Sequence, residues 1–560
     1  MKNIQLIIIN SFFLISCQGV SDNTAADYNE LVNLFNEFRA YQKPVLIEGI
    51  PDYSEGSMNV KLDGVRTFQR RLEDLDTSDW SIASQVDYYL VWAEMNAVEY
   101  HHRVLKPWKH DPGFYSFFGS GDAGASMNLD GIMPELFDLE LPLSQLQLDS
   151  FEVAMTMVPR VLKHAKLNLT EGSRDLAEFA IRNIEQEAEF FDEMSEEFFM
   201  DNQKLKKLTK KAATAIREYR QWIIDNKDRM TALAGSGKEN YSWWNKRVQL
   251  SPWGWEESNF IIQREYDRVI TWLKLEEQRN RDLPPLPVAM SERAYAKSLR
   301  EALHYVVKFL RENEIMTIHD WVNPADYYGS EQDLSKLSNE PSEDFYPENS
   351  NVDLKYRQRE ILPGENHEYV GHMLDEQRQE RLKLSPIRKA ERRFNMGSMR
   401  LEGWAVWMEE GLMQAGALDE RPQKGREMEY LMNASHMSLS VPDMKMHANE
   451  INLAEARKLC AEIMPRGWTK EDEEVVYFEM QSNLRNPGGF HSNVVTGKAY
   501  FMKLFRDYAV MKGDDFIIKE FIDKFLSFGV MPMPLIRWEM LGDDTEIRSI
   551  TRSSSEIKIQ

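Results

Sequence analysis

Apolar side chains return every third or fourth residue along much of this chain, and that spacing allows little except helices packed on helices. Val158, Leu162, Ala165 and Leu169 stand at i, i+4, i+7 and i+11. Ile181, Ile184, Ala188 and Phe191 repeat the pattern, as do Leu299, Leu303, Val306 and Leu310. Residues so spaced share one face of a helix and leave charges on the other, so each stripe needs a second element to cover it. Alternation of period two is scarce, and only Pro44–Glu48 is expected to run as a strand. No repeat with a period of about 20 to 50 residues is apparent, which argues against a solenoid. The expected fold class is mainly α.

The charge balance narrows the partners. Asp and Glu number 91 against 68 Lys and Arg, a formal charge of −23. Such a surface repels a phosphate backbone, so nucleic acid is not an expected partner. The two cysteines, Cys17 and Cys460, cannot build a disulfide framework. Cys460 is expected as a buried, free thiol.

Cys17 has another use. Lys2 precedes an apolar run from Ile4 to Ile15, too short to cross a bilayer comfortably but suited to a signal-peptide core. Leu14-Ile15-Ser16-Cys17 resembles a bacterial lipobox. The resemblance implies removal of residues 1–16, acylation of Cys17 and, with Gln18 next, an outer-membrane address facing the periplasm or cell surface. The membrane would then be met through the lipid alone. Residues 17–28 would be the lipidated Cys and its tether, polar from Ser21 to Ala26. Breaks at Arg281–Pro287 and across Gly329–Asp353 divide the remainder into an N-terminal helical lobe (29–330) and a second lobe (331–548), followed by a polar tail (549–560). Trp243, Trp244, Trp253 and Trp255 are expected to pack between helices.

The chemistry concentrates in Pro363-Gly-Glu-Asn-His-Glu-Tyr-Val-Gly-His372. Two histidines, His367 and His372, bracket Glu368 as in zinc-peptidase helices, but at i, i+5 instead of i, i+4. On an ideal helix the extra residue swings the second ring about 100° away. Both rings reach one ion only if the turn loosens, as in a π-bulge, and Gly371 tolerates such a distortion. A third ligand is required, and Glu402 stands thirty residues past His372, just before an expected apolar helix. Two His on one helix and a Glu on the next is the gluzincin order, with a fourth position left to water.

These residues carry two resemblances. His367-Glu-Tyr-Val-Gly-His372 is similar to the signature of dipeptidyl-peptidase III enzymes. More broadly, the chain resembles the bacterial domain-of-unknown-function 885 family from about residue 30 to 545, through Gly371-His372, Glu402-Gly403-Trp404-Ala405, Asp443-Met-Lys-Met-His447, Gly497-Lys498-Ala499-Tyr500 and Phe528-Gly529-Val530-Met531-Pro532. It departs from that pattern in its shorter His spacing, in Val370 for Pro, Met373 for His and Lys498 for Gln. Aligned on Gly371-His372, the family's first His falls on Asn366. The resemblance implies a multi-helical, gluzincin-like metallopeptidase fold with two lobes around a deep cleft.

The expected roles follow. His367, His372 and Glu402 hold Zn²⁺, and Glu368 takes a proton from water and returns it to the leaving amine. His447, oriented by Asp443 at i, i+4, and Tyr500 would face the oxyanion, the alternatives being a structural Asp–His pair and a core tyrosine. Arg485 and His491 near Pro487-Gly-Gly489 would either meet substrate or be residues of a surface loop, and Asp443 would either meet substrate or form a structural pair with His447. His101, His102, His110, His164, His304, His319 and His436 are left as structural. The expected activity is hydrolysis of peptide bonds, in short peptides because the chain is long enough to enclose them. The rival expectations are a lipoprotein that binds peptide or another ligand without turning it over, and hydrolysis of another amide or ester.

Overall fold

Ser54, Ser81, Ser144 and Ser291 each accept a backbone N–H from the first turn of a helix, so the apolar stripes start from capped ends. The structure, a computed structural model, describes residues 22–117, 143–329 and 331–556. Among them the chain is mainly helical. Strand is limited to an antiparallel pair, β1 (Leu46–Ile47) and β2 (Ile50–Pro51), so the expected Pro44–Glu48 strand shortens to two residues beside a tight turn. The first half supplies α1 (Asp22–Tyr41), α2 (Glu55–Glu73), α3 (Ile82–Tyr100), α4 (Gln145–Asn168), α5 (Arg174–Glu197), α6 (Gln203–Asn226), α7 (Trp255–Arg279) and α8 (Glu292–Glu312). The second supplies α9 (Ser398–Gln414), α10 (Gly425–His447), α11 (Glu474–Arg485), α12 (His491–Lys512) and α13 (Thr545–Glu556), with shorter helices between.

Several expected boundaries move. Residues 22–28, read as tether, already belong to α1. Residues 549–556 of the polar tail belong to α13. The Gly329–Asp353 break contains the short helix Glu331–Lys336 and a 3-10 turn at Glu343–Phe345. The signal segment and Cys17 lie outside the described residues.

The cores divide elsewhere than at residue 330. α4, α5 and α6 pack on one another around Phe151, Val158, Ile184, Phe191 and Ile216. A larger core joins Leu90 of α3 and Val306 of α8 to Trp404 of α9 and Phe501 of α12. Residues from both expected lobes therefore share one interior: an apolar stripe states that a face is covered, not which element covers it. Trp244 and Trp255 are buried between helices, as expected, and none of the four clustered tryptophans lines the central cavity.

Two close approaches fix the centre. At the α9–α12 crossing, a Cβ on Gly403 would fall 2.3 Å from the backbone of Gly497. A Cβ on Gly371 would fall 2.6 Å from Cα of Ala405. The absence of side chains there lets α9 lie against the segment carrying both motif histidines and against α12 at once.

Candidate metal centre

The segment Asn366–Met373 is a π-helix. Its i→i+5 bonding brings residue 372 back over residue 367 and answers the irregular His spacing. His367 Nε2 and His372 Nε2 face each other at 3.0 Å, the two rings being nearly perpendicular. From about one helical turn inside α9, Glu402 Oε2 stands 3.7 Å from the first nitrogen and 3.5 Å from the second. The three ligand atoms lie within 4.8 Å of one another. Gly371 serves this geometry through its close approach to Ala405; its φ is not in the left-handed region. Asn366 stays out of the group: its side chain is buried in the same segment, away from the cavity lining.

The donor chemistry fits a cation. Glu409, one heptad after Glu402 and fully buried, accepts from His367 Nδ1 at 2.7 Å. With its Nδ1 hydrogen committed there, His367 is left with a lone pair on Nε2, directed at His372 and Glu402. Burial would raise the Glu402 carboxyl, but the neighbouring His372 and His367 hold it down to about 2. Burial would equally lower His372, yet Glu402 pushes it up to about 9. The pocket thus keeps its carboxylate ionised and favours positive charge between the two rings and the acid.

Beside the triad lies a cavity of about 530 Å³. His367, Glu368, His372, Glu402, His436 and His491 line it, with apolar wall from Val475, Val476, Phe490 and Val494. Glu368 reaches into it with its side chain 43% exposed and receives Arg357 Nη2 at 3.3 Å. His491 gives or shares a hydrogen with Asn483 Oδ1 at 2.8 Å, and burial lowers its pKa to about 3, so it faces the cavity as a neutral ring. Cys460 is buried at the cavity wall beside Ser438, and burial raises its thiol to about 12.

Four expected site residues are placed elsewhere. His447 donates from Nε2 to the Asn483 carbonyl at 2.9 Å and packs against Tyr241. Asp443 accepts the Ser492 N–H at 2.8 Å, 3.5 Å from His447. Both are sealed, burial raising Asp443 to about 7 and lowering His447 to about 4, so the pair ties α10 to the α11–α12 junction. Tyr500 is wholly buried, its hydroxyl bonded to Glu546 of α13, because residue 500 sits on the face of α12 turned into the core. Arg485 is 6% exposed and binds Asp111 at 3.0 Å and Gln481 at 3.0 Å, which fastens the Pro112 turn to α11. None of the four lines the cavity.

His436, left as structural in the sequence reading, does line it. On α10, its Nε2 meets Glu409 Oε1 at 3.0 Å and its ring stacks on His367. His367, Glu409 and His436 thereby form a second cluster of metal-ligating residue types, sharing His367 with the first.

The fold is thus a helical scaffold on which two imidazoles and a carboxylate converge beside a cavity. The family described as bacterial protein of unknown function (DUF885) matches residues 366–540, a span that opens at the π-helix and includes Glu402, Glu409 and His436. No curated protein matches the sequence. The fold is similar to that of a candidate lipoprotein of unknown function from Shewanella oneidensis, at 17% identity and a TM-score of 0.68, covering 92% of this chain and 98% of that one. It is also similar to a candidate lipoprotein from Colwellia psychrerythraea, at 14% identity and a TM-score of 0.60, with the same coverage of both chains.

Proposed function

We propose that this chain is a zinc-dependent peptidase on a gluzincin-like helical scaffold, whose cleft holds short peptides. The reading rests on one observation: His367 Nε2, His372 Nε2 and Glu402 Oε2 converge on one point, with a half-exposed Glu368 beside it at the wall of a cavity. Bound Zn²⁺ would supply Lewis acidity and bring the pKa of a water toward about 7. Glu368 then accepts the proton and passes it to the leaving amine, while Arg357 orients its carboxylate. Glu409 keeps His367 in the tautomer that offers Nε2. His436 and His491 are the imidazoles at the cavity able to meet the substrate carbonyl, in place of His447 and Tyr500.

The signal-like segment ending at Cys17, together with fold relatives described as candidate lipoproteins, supports a lipid-anchored bacterial protein facing the periplasm or cell surface. The test is to measure zinc in protein purified without added metal, then peptide cleavage by wild type and Glu368→Gln. About one zinc per chain is expected, with hydrolysis in the variant lowered by ~10²–10⁴ and its metal retained. Stoichiometric zinc with no cleavage across a broad peptide library would favour a binding protein on the same scaffold. Cleavage of esters or non-peptide amides alone would move the substrate class.

A further inference from the structure

Lys498, where the sequence departs from the pattern it otherwise resembles, is 4% exposed on α12. Its ammonium meets three acceptors from three other helices: Glu265 Oε1 on α7 at 3.2 Å, Glu410 Oε2 on α9 at 2.7 Å, and Asn433 Oδ1 on α10 at 2.8 Å. Arg268 pairs with both of those carboxylates at 2.6 to 2.7 Å, which balances the buried charge. The contact that matters for the metal centre is the neutral one. A lysine can only donate, so Asn433 must turn its oxygen toward residue 498 and its NH₂ the other way. That NH₂ faces three acceptors, Glu429 Oε1 at 2.7 Å, the Glu429 carbonyl at 3.2 Å and Glu409 Oε2 at 3.3 Å. Glu409 in turn accepts from His367 Nδ1 through its other oxygen. With no donor at residue 498, the Asn433 amide could flip and set its own oxygen against the Glu409 carboxylate.

We propose that Lys498 is a positioning residue for the metal centre: it fixes the Asn433 amide, which holds Glu409, which holds His367 with Nε2 turned to the ion. The inference rests on the metal-binding half of the proposed function and is independent of what the site hydrolyses. The chain of contacts runs through buried side chains, Asn433 and Glu409 fully so, where an orientation set at one end is not averaged out by water.

The test is zinc affinity, measured with Zn²⁺ alone in competition with a chelator, on the full chain. Lys498→Met and Asn433→Leu are each expected to weaken zinc by about 10- to 100-fold, the range found when partners of metal-bound histidines are removed. Asn433→Leu leaves the Lys498, Glu410, Arg268 and Glu265 charges paired, so it serves if Lys498→Met does not fold. The double variant should lose no more than either single change, because both cut one line of contacts. Arg388→Met, which breaks a buried pair with Asp87 and Glu539 outside the cavity lining, should leave zinc affinity unchanged. Variants that bind zinc within about twofold of wild type, or losses that multiply in the double variant, overturn the positioning role. Wild type that binds no zinc overturns the metal centre itself.

Discussion

Two sets of histidines and carboxylates meet α10, and they have opposite fates. Asp443 and His447, a turn apart on that helix, are sealed beneath Tyr241 and the α11–α12 junction, each shifted by burial toward its neutral form. His367, His372, Glu402, Glu409 and His436 gather from three segments at the wall of a cavity, where the acids stay ionised. Residue type does not separate the two sets, nor does spacing. The difference is convergence and access: in the open set three ligand atoms point at one place that a solvent-borne ion can reach. In the sealed set the bonded atoms are spent on backbone, His447 Nε2 on the Asn483 carbonyl and Asp443 Oδ2 on the Ser492 N–H. A buried carboxyl without a cation goes neutral, whereas one facing two imidazoles stays charged.

The sharpest attack on this contrast removes one ligand from the open set. Glu402→Ala should lose stoichiometric zinc and lower peptide cleavage by on the order of 10⁴ or more, since an unassisted water must then be deprotonated. Metal analysis and kcat/KM on one peptide check it. Cleavage surviving metal loss would sink the open set as a catalytic centre.

The sealed set is probed by pH. Asp443 rises to about 7 in the folded chain through burial, against an ordinary 3.8. Between those values the native state holds a proton that the unfolded chain has released, so this stabilising contribution is complete below about pH 4 and is lost as pH rises through 7. Roughly 4 kcal/mol of stability should disappear over that interval. Asp443→Asn keeps an acceptor for the Ser492 N–H but cannot ionise, so its urea midpoint should lack that part of the pH slope. Above pH 7 it should exceed wild type. Parallel slopes in the two proteins would mean Asp443 is not sealed. Zinc content should be the same in both.

Much of the open set was legible in the chain. The i, i+5 spacing demanded a loosened turn, and the π-helix supplies it. Glu402 could be picked out because a third ligand was needed. Glu409 carried a signal that went unused: it follows Glu402 by seven residues, hence shares its helical face. His436 had no such mark, because its partner Glu409 lies 27 residues earlier on another helix. Arg485 was misassigned for the same reason, its Asp111 partner being 374 residues distant. Periodicity identified which faces are covered in α4, α5 and α8, but the sharing of one core by α3, α8, α9 and α12 depends on which stripes meet, and no local rule encodes that.

Within the open set lies the contact that holds its segments together, that of Gly371 with Ala405. Gly→Ala within a helix usually stabilises by about 0.8–1.0 kcal/mol. At Gly371 the sign should reverse, since the new methyl would overlap Ala405 at 2.6 Å and push α9 from the π-helix. Overpacking of this kind costs about 1–3 kcal/mol, and Glu402 and Glu409 would retreat with the helix. Gly371→Ala should therefore lose both thermal stability and zinc affinity. Loss of stability with zinc affinity intact would show that the ligand geometry does not depend on this approach.

The smallest expected effect tests Tyr500, expected from the sequence to face the oxyanion and seated by the structure in the core. Tyr500 lies against Trp253 with its hydroxyl on Glu546, and Glu546 also pairs with Lys503 at 2.6 Å. Tyr500→Phe preserves the ring and its packing and deletes one hydrogen bond to a carboxylate that keeps a cationic partner. The cost should be about 1 kcal/mol or less in urea unfolding. A residue donating to a developing oxyanion would instead lower kcat by about 10²–10³ on losing its hydroxyl. Because the hydroxyl is engaged away from the cavity, kcat/KM should stay within about twofold of wild type at every pH measured. A hundredfold fall with zinc retained would place Tyr500 at the reacting carbonyl and require α12 to turn its buried face toward the cavity when substrate binds.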